Sequence, residues 1–176
     1  MNLDDNKYIY VRSLLYLAIF IGMHYLYKFF PSIISQIFSG INESVFQHMK
    51  VGFYSYLILS IIEFFVFKKK ITDTSKFLFS RVFSMILSPF LIFLLFLFTR
   101  VVYPWQMPFV IEIISAQTVV YISVLILGFI ELDIVKLEFG KRLKVILLIL
   151  LVLFIIEFTA FSFYLPWHDI LANPYA

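Results

Sequence analysis

Five long apolar runs divide the chain, separated by short polar stretches. The runs cover residues 9–30, 45–67, 77–102, 109–130 and 143–165. An α-helix needs about 20 apolar residues to cross the hydrocarbon of a bilayer, and each run is long enough. Prolines support the boundaries, since Pro31 and Pro166 follow the first and fifth runs and Pro108 precedes the fourth. The pattern predicts an all-α integral membrane protein, a bundle of five transmembrane helices in a single domain over residues 1–176.

The segment 31–44, between the first two runs, is too short and too polar to span. Its apolar residues recur at helical spacing: Ile33, Ile34, Ile37, Phe38 and Ile41. We therefore expect an interfacial segment on the outer surface between helices 1 and 2. Ser44 and Gln47 then fit a capping box that starts the second span, because each side chain can satisfy a free amide at a helix start.

Charge placement predicts the orientation. Eleven of the 14 cations lie in the ends and loops of one side. They are Lys7, Arg12, Lys68, Lys69, Lys70, Lys76, Arg81, Lys136, Lys141, Arg142 and Lys144. The other side keeps Lys28, Lys50 and Arg100. Because cytoplasmic loops carry the excess of Lys and Arg, we expect a multi-pass protein of the cell membrane with a cytoplasmic N-terminus and an extracytoplasmic C-terminus.

Composition narrows the chemistry. Apolar residues make up 62% of the chain and charged residues 14%, which excludes a nucleic-acid-binding role and leaves membrane lipids as the expected surroundings. Cysteine is absent, so disulfides and thiolate metal sites are excluded. A membrane-protein partner or a homo-oligomer is left open.

Histidines and acids of the spans concentrate in one layer near the outer leaflet. The candidate metal ligands are His24, Glu43, His48, Glu112, Glu157 and His168, and the candidate catalytic residues are Glu43, His48 and His24. Glu43 and His48 lie about 140° apart on a regular helix, so they could share a metal only if Glu43 precedes the helix. Zn²⁺ is the type of divalent cofactor that such ligands suit, although the sequence identifies none.

Four further polar positions need partners or a role, namely Asn42, Glu63, Arg100 and Asp169. An acid in hydrocarbon is costly unless it is paired, protonated or hydrated. For Glu157 we expect a partner on another helix, with Arg100, Lys50, His24 or a bound cation as candidates. For Glu63 the nearby Lys68, Lys69 and Lys70 are candidates.

The segment Asn42-Glu43-Ser44-Val45-Phe46-Gln47-His48-Met49-Lys50 resembles the signature of a family of small multi-spanning bacterial membrane proteins of unknown function. That signature reads Asn-Glu-Ser-x-x-(Glu/Gln)-His-(Leu/Met)-Lys. His24 and Tyr27 match its His-x-x-Tyr in the first span. The ending, from Phe161 to Tyr175, is also similar, although Asn173 replaces the acid of the family. The resemblance implies a five-helix bundle and no activity.

Two functions remain open. The favoured hypothesis is a non-enzymatic transport subunit, small solute carrier or membrane assembly partner with a polar cavity. Its basis is a polar stripe on the second span, formed by His48, Gly52, Ser55, Tyr56 and Glu63, which also suits plain helix packing. The alternative is a membrane-embedded enzyme with a His/Glu site at the outer leaflet, possibly metal-dependent, acting on a lipid or lipid-linked substrate.

Overall fold

The computed structural model describes residues 6–103 and 108–164, and over these ranges the chain is helical with no strand. The six helices are α1 (Asn6–Phe29), α2 (Ile33–Phe38), α3 (Val45–Phe67), α4 (Thr74–Val102), α5 (Phe109–Ile134) and α6 (Lys141–Phe163). All except α2 are long and apolar enough to cross a membrane. The predicted fold class is therefore confirmed, and the chain has the architecture of a multi-pass membrane protein.

Capping residues explain where the helices begin. The Ser44 side chain accepts from the backbone N–H of Gln47, so α3 starts at Val45 as predicted. The second half of the predicted capping box is wrong, because the Gln47 side-chain oxygen instead accepts from the backbone N–H of Ile41 at 3.4 Å. Asp73 caps α4 in the same way as Ser44 caps α3, and α4 therefore begins at Thr74, three residues before the predicted span.

Pro89 lies inside α4 without ending it. A proline cannot donate the helical hydrogen bond to the carbonyl four residues earlier, which here belongs to Met85. The Ser88 hydroxyl donates to that carbonyl at 3.1 Å. This local replacement allows α4 to continue to Val102 in an apolar setting.

Four helices form a closed ring, in which α1 packs on α3, α3 on α4, α4 on α5, and α5 on α1. Helix α6 lies outside the ring against α4 and α2. The core is built from large aromatic and branched side chains, among them Tyr16, Phe20, Phe53, Tyr56, Leu59, Val124 and Phe158. Much of the outward surface of the long helices is apolar, as hydrocarbon surroundings require.

The short helix α2 lies at one end of the bundle, and we refer to this as the α2 end. Its isoleucines Ile33 and Ile34 are both 70% exposed, which agrees with the expected interfacial segment. Lys50 on α3 holds α2 in place, because its buried ammonium donates to the backbone oxygen of Gln36 on α2 and to the hydroxyl of Ser162 on α6. Helices α2, α3 and α6 are thereby tied together.

Candidate metal centre

Three of the predicted ligands meet at the α2 end. His24 comes from α1, Glu43 from the turn before α3, and His48 from the first turns of α3. The Nε2 atom of His24 lies 3.3 Å from one Glu43 carboxylate oxygen, and the Nε2 atom of His48 lies 3.8 Å from the other. One ligand atom from each residue lies within 4.8 Å of the other two. The condition on Glu43 is met, because it precedes the helix that carries His48.

The His48 ring has the orientation of a metal ligand. Its Nδ1 atom lies 2.8 Å from the backbone oxygen of Ser44, to which the Nδ1–H donates. This hydrogen bond leaves the lone pair on Nε2, the nitrogen that faces Glu43. Phe20 fixes the ring plane further, stacking on both histidines with ring centroids 6.2 Å and 6.3 Å away.

The segment that carries Glu43 is held against α1. The Ser39 hydroxyl accepts from the backbone N–H of Tyr27 at 2.9 Å and also lies 3.4 Å from the backbone oxygen of His24. Gly40 follows, and a Cβ there would lie 3.1 Å from Nδ1 of His24, which is closer than an ordinary contact. The missing side chain therefore allows the close approach. Asn42 accepts from the backbone N–H of Ser44 and so shapes the turn.

The site is open on one side. The Glu43 side chain is 46% exposed and that of His48 is 22% exposed, whereas His24 is buried. The hydrogen bond from the His24 ring lowers the pKa of Glu43, and the charge of nearby Lys28 acts in the same direction. Glu43 therefore stays ionised at neutral pH, as a carboxylate ligand must.

The other candidate ligands lie elsewhere. Glu112 on α5 pairs with Arg100 on α4, with 2.9 Å between carboxylate oxygen and guanidinium nitrogen. Glu157 lies exposed on α6, where it makes no ion pair with the described part of the chain. Arg100, Lys50 and His24 were wrong as predicted partners of Glu157, because they are engaged with Glu112, Ser162 and Glu43. The bound cation stays a prediction. His168 and Asp169 lie outside the described residues.

The opposite end of the bundle holds a buried charge ring, which we define as Arg12, Glu63, Arg81 and Glu131. One member comes from each helix of the four-helix ring. Arg12 lies 2.8 Å from Glu63 and 2.7 Å from Glu131, while Arg81 lies 3.1 Å from Glu63 and also contacts Glu131. Cations and acids thus alternate around the ring, and the charges balance. The partner predicted for Glu63 among Lys68, Lys69 and Lys70 was wrong.

Two tyrosines complete the charge ring. The Tyr8 hydroxyl donates to Glu63, and the Tyr56 hydroxyl donates to Glu131 while it accepts from Arg12, each at 2.5 Å. Buried charges are tolerated when they are paired and hydrogen-bonded. Every member of the charge ring is paired, and the tyrosines add hydrogen bonds to Glu63, Arg12 and Glu131, while the Nε of Arg81 has no hydrogen-bond partner among the described residues. Tyr56 and Glu63, two members of the predicted polar stripe on α3, therefore serve helix packing.

No protein-family model, curated protein or solved structure matches this chain. The family resemblance carried by the Asn42–Lys50 segment stays a prediction.

Proposed function

We propose that this protein is a membrane-embedded, metal-dependent enzyme that acts on a lipid or lipid-linked substrate at the outer leaflet of the cell membrane. The observation that carries the proposal is the convergence of His24, Glu43 and His48, which come from three separate segments and present ligand atoms within 4.8 Å of one another. Two imidazoles and one glutamate are a known ligand set of catalytic zinc sites, in which a fourth position stays open.

Each residue has a distinct task. His48 offers Nε2 because the Ser44 carbonyl holds the proton on Nδ1. Glu43 supplies the negative charge and, being the most exposed of the three, lies nearest to the solvent. His24 is buried against Phe20 and forms the rigid floor of the site. A divalent ion held by these side chains would supply Lewis acidity and activate water for hydrolysis.

The location favours a lipid substrate. At the same end of the bundle as the site, α2 exposes the apolar side chains of Ile33 and Ile34. The excess of cations at the opposite end supports an outward-facing α2 end. A substrate with a polar headgroup and apolar chains would meet both surfaces at once.

The hypothesis of a carrier with a path across the bilayer finds less support. Such a path would use Glu63, the deep acid on α3. Glu63 is buried between Arg12 and Arg81, where both carboxylate oxygens have cationic neighbours. A structural role in the charge ring accounts for these contacts. The carrier and the assembly partner stay untested predictions.

Metal analysis of detergent-purified protein tests the site. We expect close to one equivalent of zinc or a similar ion per chain in the wild type. The variants Glu43→Gln and His48→Asn should lose it while they still elute as folded protein. Glu138→Gln, which removes an exposed acid far along the chain, should keep it. A wild type without metal after incubation with Zn²⁺ would contradict the proposal.

Activity is tested separately in bilayers of total bacterial lipid. Metal-loaded wild type should consume a lipid species and release its hydrolysis product, both followed by mass spectrometry, whereas chelator-treated protein and Glu43→Gln should not. A metal-loaded protein that leaves every lipid and added lipid-linked sugar unchanged would exclude the enzyme and leave a metal-binding role.

A further inference from the structure

Lys28 extends the candidate metal centre with a positive charge. It lies four residues after His24 on α1, which places it one helical turn further toward the α2 end on the same face. Lys28 is exposed, and its ammonium lies 6.0 Å from the centroid of the Tyr25 ring. Its charge also reaches Glu43 across the turn. Lys28 is therefore free to bind a ligand that occupies the site.

The other described cations at this end are already committed. Lys50 is buried and donates to Gln36 and Ser162. Arg100 pairs with Glu112. Within the described ranges, Lys28 is thus the exposed cation of the α2 end that makes no ion pair at contact distance, and its charge acts on Glu43 only through space.

Charge balance then defines the ligand. A divalent ion bound by two neutral imidazoles and one carboxylate keeps one positive charge in excess, and Lys28 adds a second. A site with this excess selects an anion. Phosphate fits best, because its oxygens can accept from an ammonium and bind a hard or borderline metal at the same time.

Apolar surface begins immediately after Lys28. Phe29, Phe30, Ile33 and Ile34 are each 69–70% exposed, and they follow the lysine along the end of α1 and the start of α2. At a membrane interface these side chains reach the acyl region while the lysine stays at headgroup level. The anion site and the apolar surface are thus arranged in the order of a phospholipid headgroup and its chains.

We propose that the substrate is a lipid with an anionic phosphate headgroup, and that Lys28 selects it by binding the phosphate beside His24, Glu43 and His48. This inference rests on the proposed function, because it places the lipid at the same three ligands. Lys28 acts here as a specificity residue and is not needed to hold the metal.

Cobalt-substituted protein tests the inference. The visible absorption of Co²⁺ changes when a ligand enters its coordination sphere, so binding can be followed without turnover. We would titrate the wild type with dihexanoyl phosphatidic acid, inorganic phosphate and dihexanoyl phosphatidylcholine. Phosphatidic acid should bind most tightly. Lys28→Gln should weaken its binding by about two- to fivefold, the range of a partly exposed ion pair, without loss of cobalt.

The control is Lys69→Gln, which removes an exposed lysine at the opposite end of the bundle and should leave binding unchanged. Equal binding of phosphatidylcholine, or a Lys28→Gln variant that binds like the wild type, would overturn the inference while the metal site stands. Inorganic phosphate binding as tightly as phosphatidic acid would overturn the lipid part. Failure to bind cobalt at all would instead contradict the proposed function, and this inference with it.

Discussion

Arg12 and Arg81 share the same two carboxylates. Arg12, on α1, contacts Glu63 and Glu131, and Arg81, on α4, contacts both acids from the other side. Neither arginine has an acid of its own. Because every ion pair in the charge ring involves a neighbour that is also paired elsewhere, the loss of one member affects all four helices of the ring.

We expect Glu63→Gln to lower the free energy of unfolding by about 3–5 kcal/mol, since removal of one partner leaves an uncompensated buried charge. Unfolding of purified protein in mild detergent, followed by circular dichroism, measures the change. The matched control is Glu138→Gln, because Glu138 forms an exposed ion pair with Lys76. Exposed pairs contribute at most about 1 kcal/mol. Equal effects in the two variants would contradict a structural role for the charge ring.

Tyr56→Phe should cost about 1.5–3 kcal/mol of unfolding free energy. The hydroxyl of Tyr56 bridges Arg12 and Glu131, and hydrogen bonds to charged groups are stronger than neutral ones. Tyr10→Phe serves as the control, because it removes the hydroxyl of an exposed tyrosine on another long helix, α1. The same unfolding measurement compares them, and a Tyr56→Phe variant as stable as the wild type would show that the bridge is dispensable.

Gly128 marks the close approach of α5 to α1. A Cβ at this position would lie 2.7 Å from Cγ2 of Ile9, a buried and β-branched side chain that cannot rotate away easily. We expect Gly128→Ala to destabilise the protein by about 1–3 kcal/mol through overpacking. Gly22→Ala adds the same methyl group to α1 with no atom within 4 Å. It should be neutral or stabilising by up to about 1 kcal/mol, and the reverse order would contradict this packing.

Glu43 should give the α2 end a defined response to acid. Its pKa is lowered in the folded protein, chiefly by the hydrogen bond from His24. The carboxylate therefore stabilises the metal-free fold fully above its ordinary pKa of 4.5, and this contribution is lost as the pH falls through the lowered value. The difference in melting temperature between the wild type and Glu43→Gln, measured in the presence of a chelator, should be largest at about pH 6 and should shrink below about pH 4. A difference that grows in acid would refute the assignment.

The sequence alone predicts the five spans and the relation between two of the three residues of the candidate metal centre, Glu43 and His48. Hydrophobic length identifies membrane helices directly, and the cap at Ser44 places Glu43 on the turn before His48. The sequence indicates His24 as a candidate ligand but does not predict that it lies beside Glu43 and His48. That contact depends on tertiary packing of the turn against α1 through Ser39 and Gly40.

The charge ring was missed for a different physical reason. Arg12, Arg81 and Glu131 lie near the ends of apolar runs, where charged side chains usually extend to the headgroups. Arg12 and Arg81 already lie within the predicted runs 9–30 and 77–102, but the runs do not show that these side chains face the interior of the bundle and meet. Because α4 begins at Thr74, Arg81 lies two turns inside the helix. The helical spacing of Tyr8 and Arg12, which puts both on one face, was the available signal.

The alternation of charge around the four-helix ring has a consequence for biogenesis. During synthesis α1 brings a cation into the membrane, α3 an acid, α4 a cation and α5 an acid, in that order. A charge in a membrane helix costs roughly 2.5–3.5 kcal/mol at mid-membrane and less toward the helix ends, where the charge ring lies, but an unpaired charge still makes insertion of an isolated helix less favourable. The acid of α3 neutralises the cation of α1, and the acid of α5 later neutralises the cation of α4, so the ring never carries more than one unbalanced charge while the chain emerges.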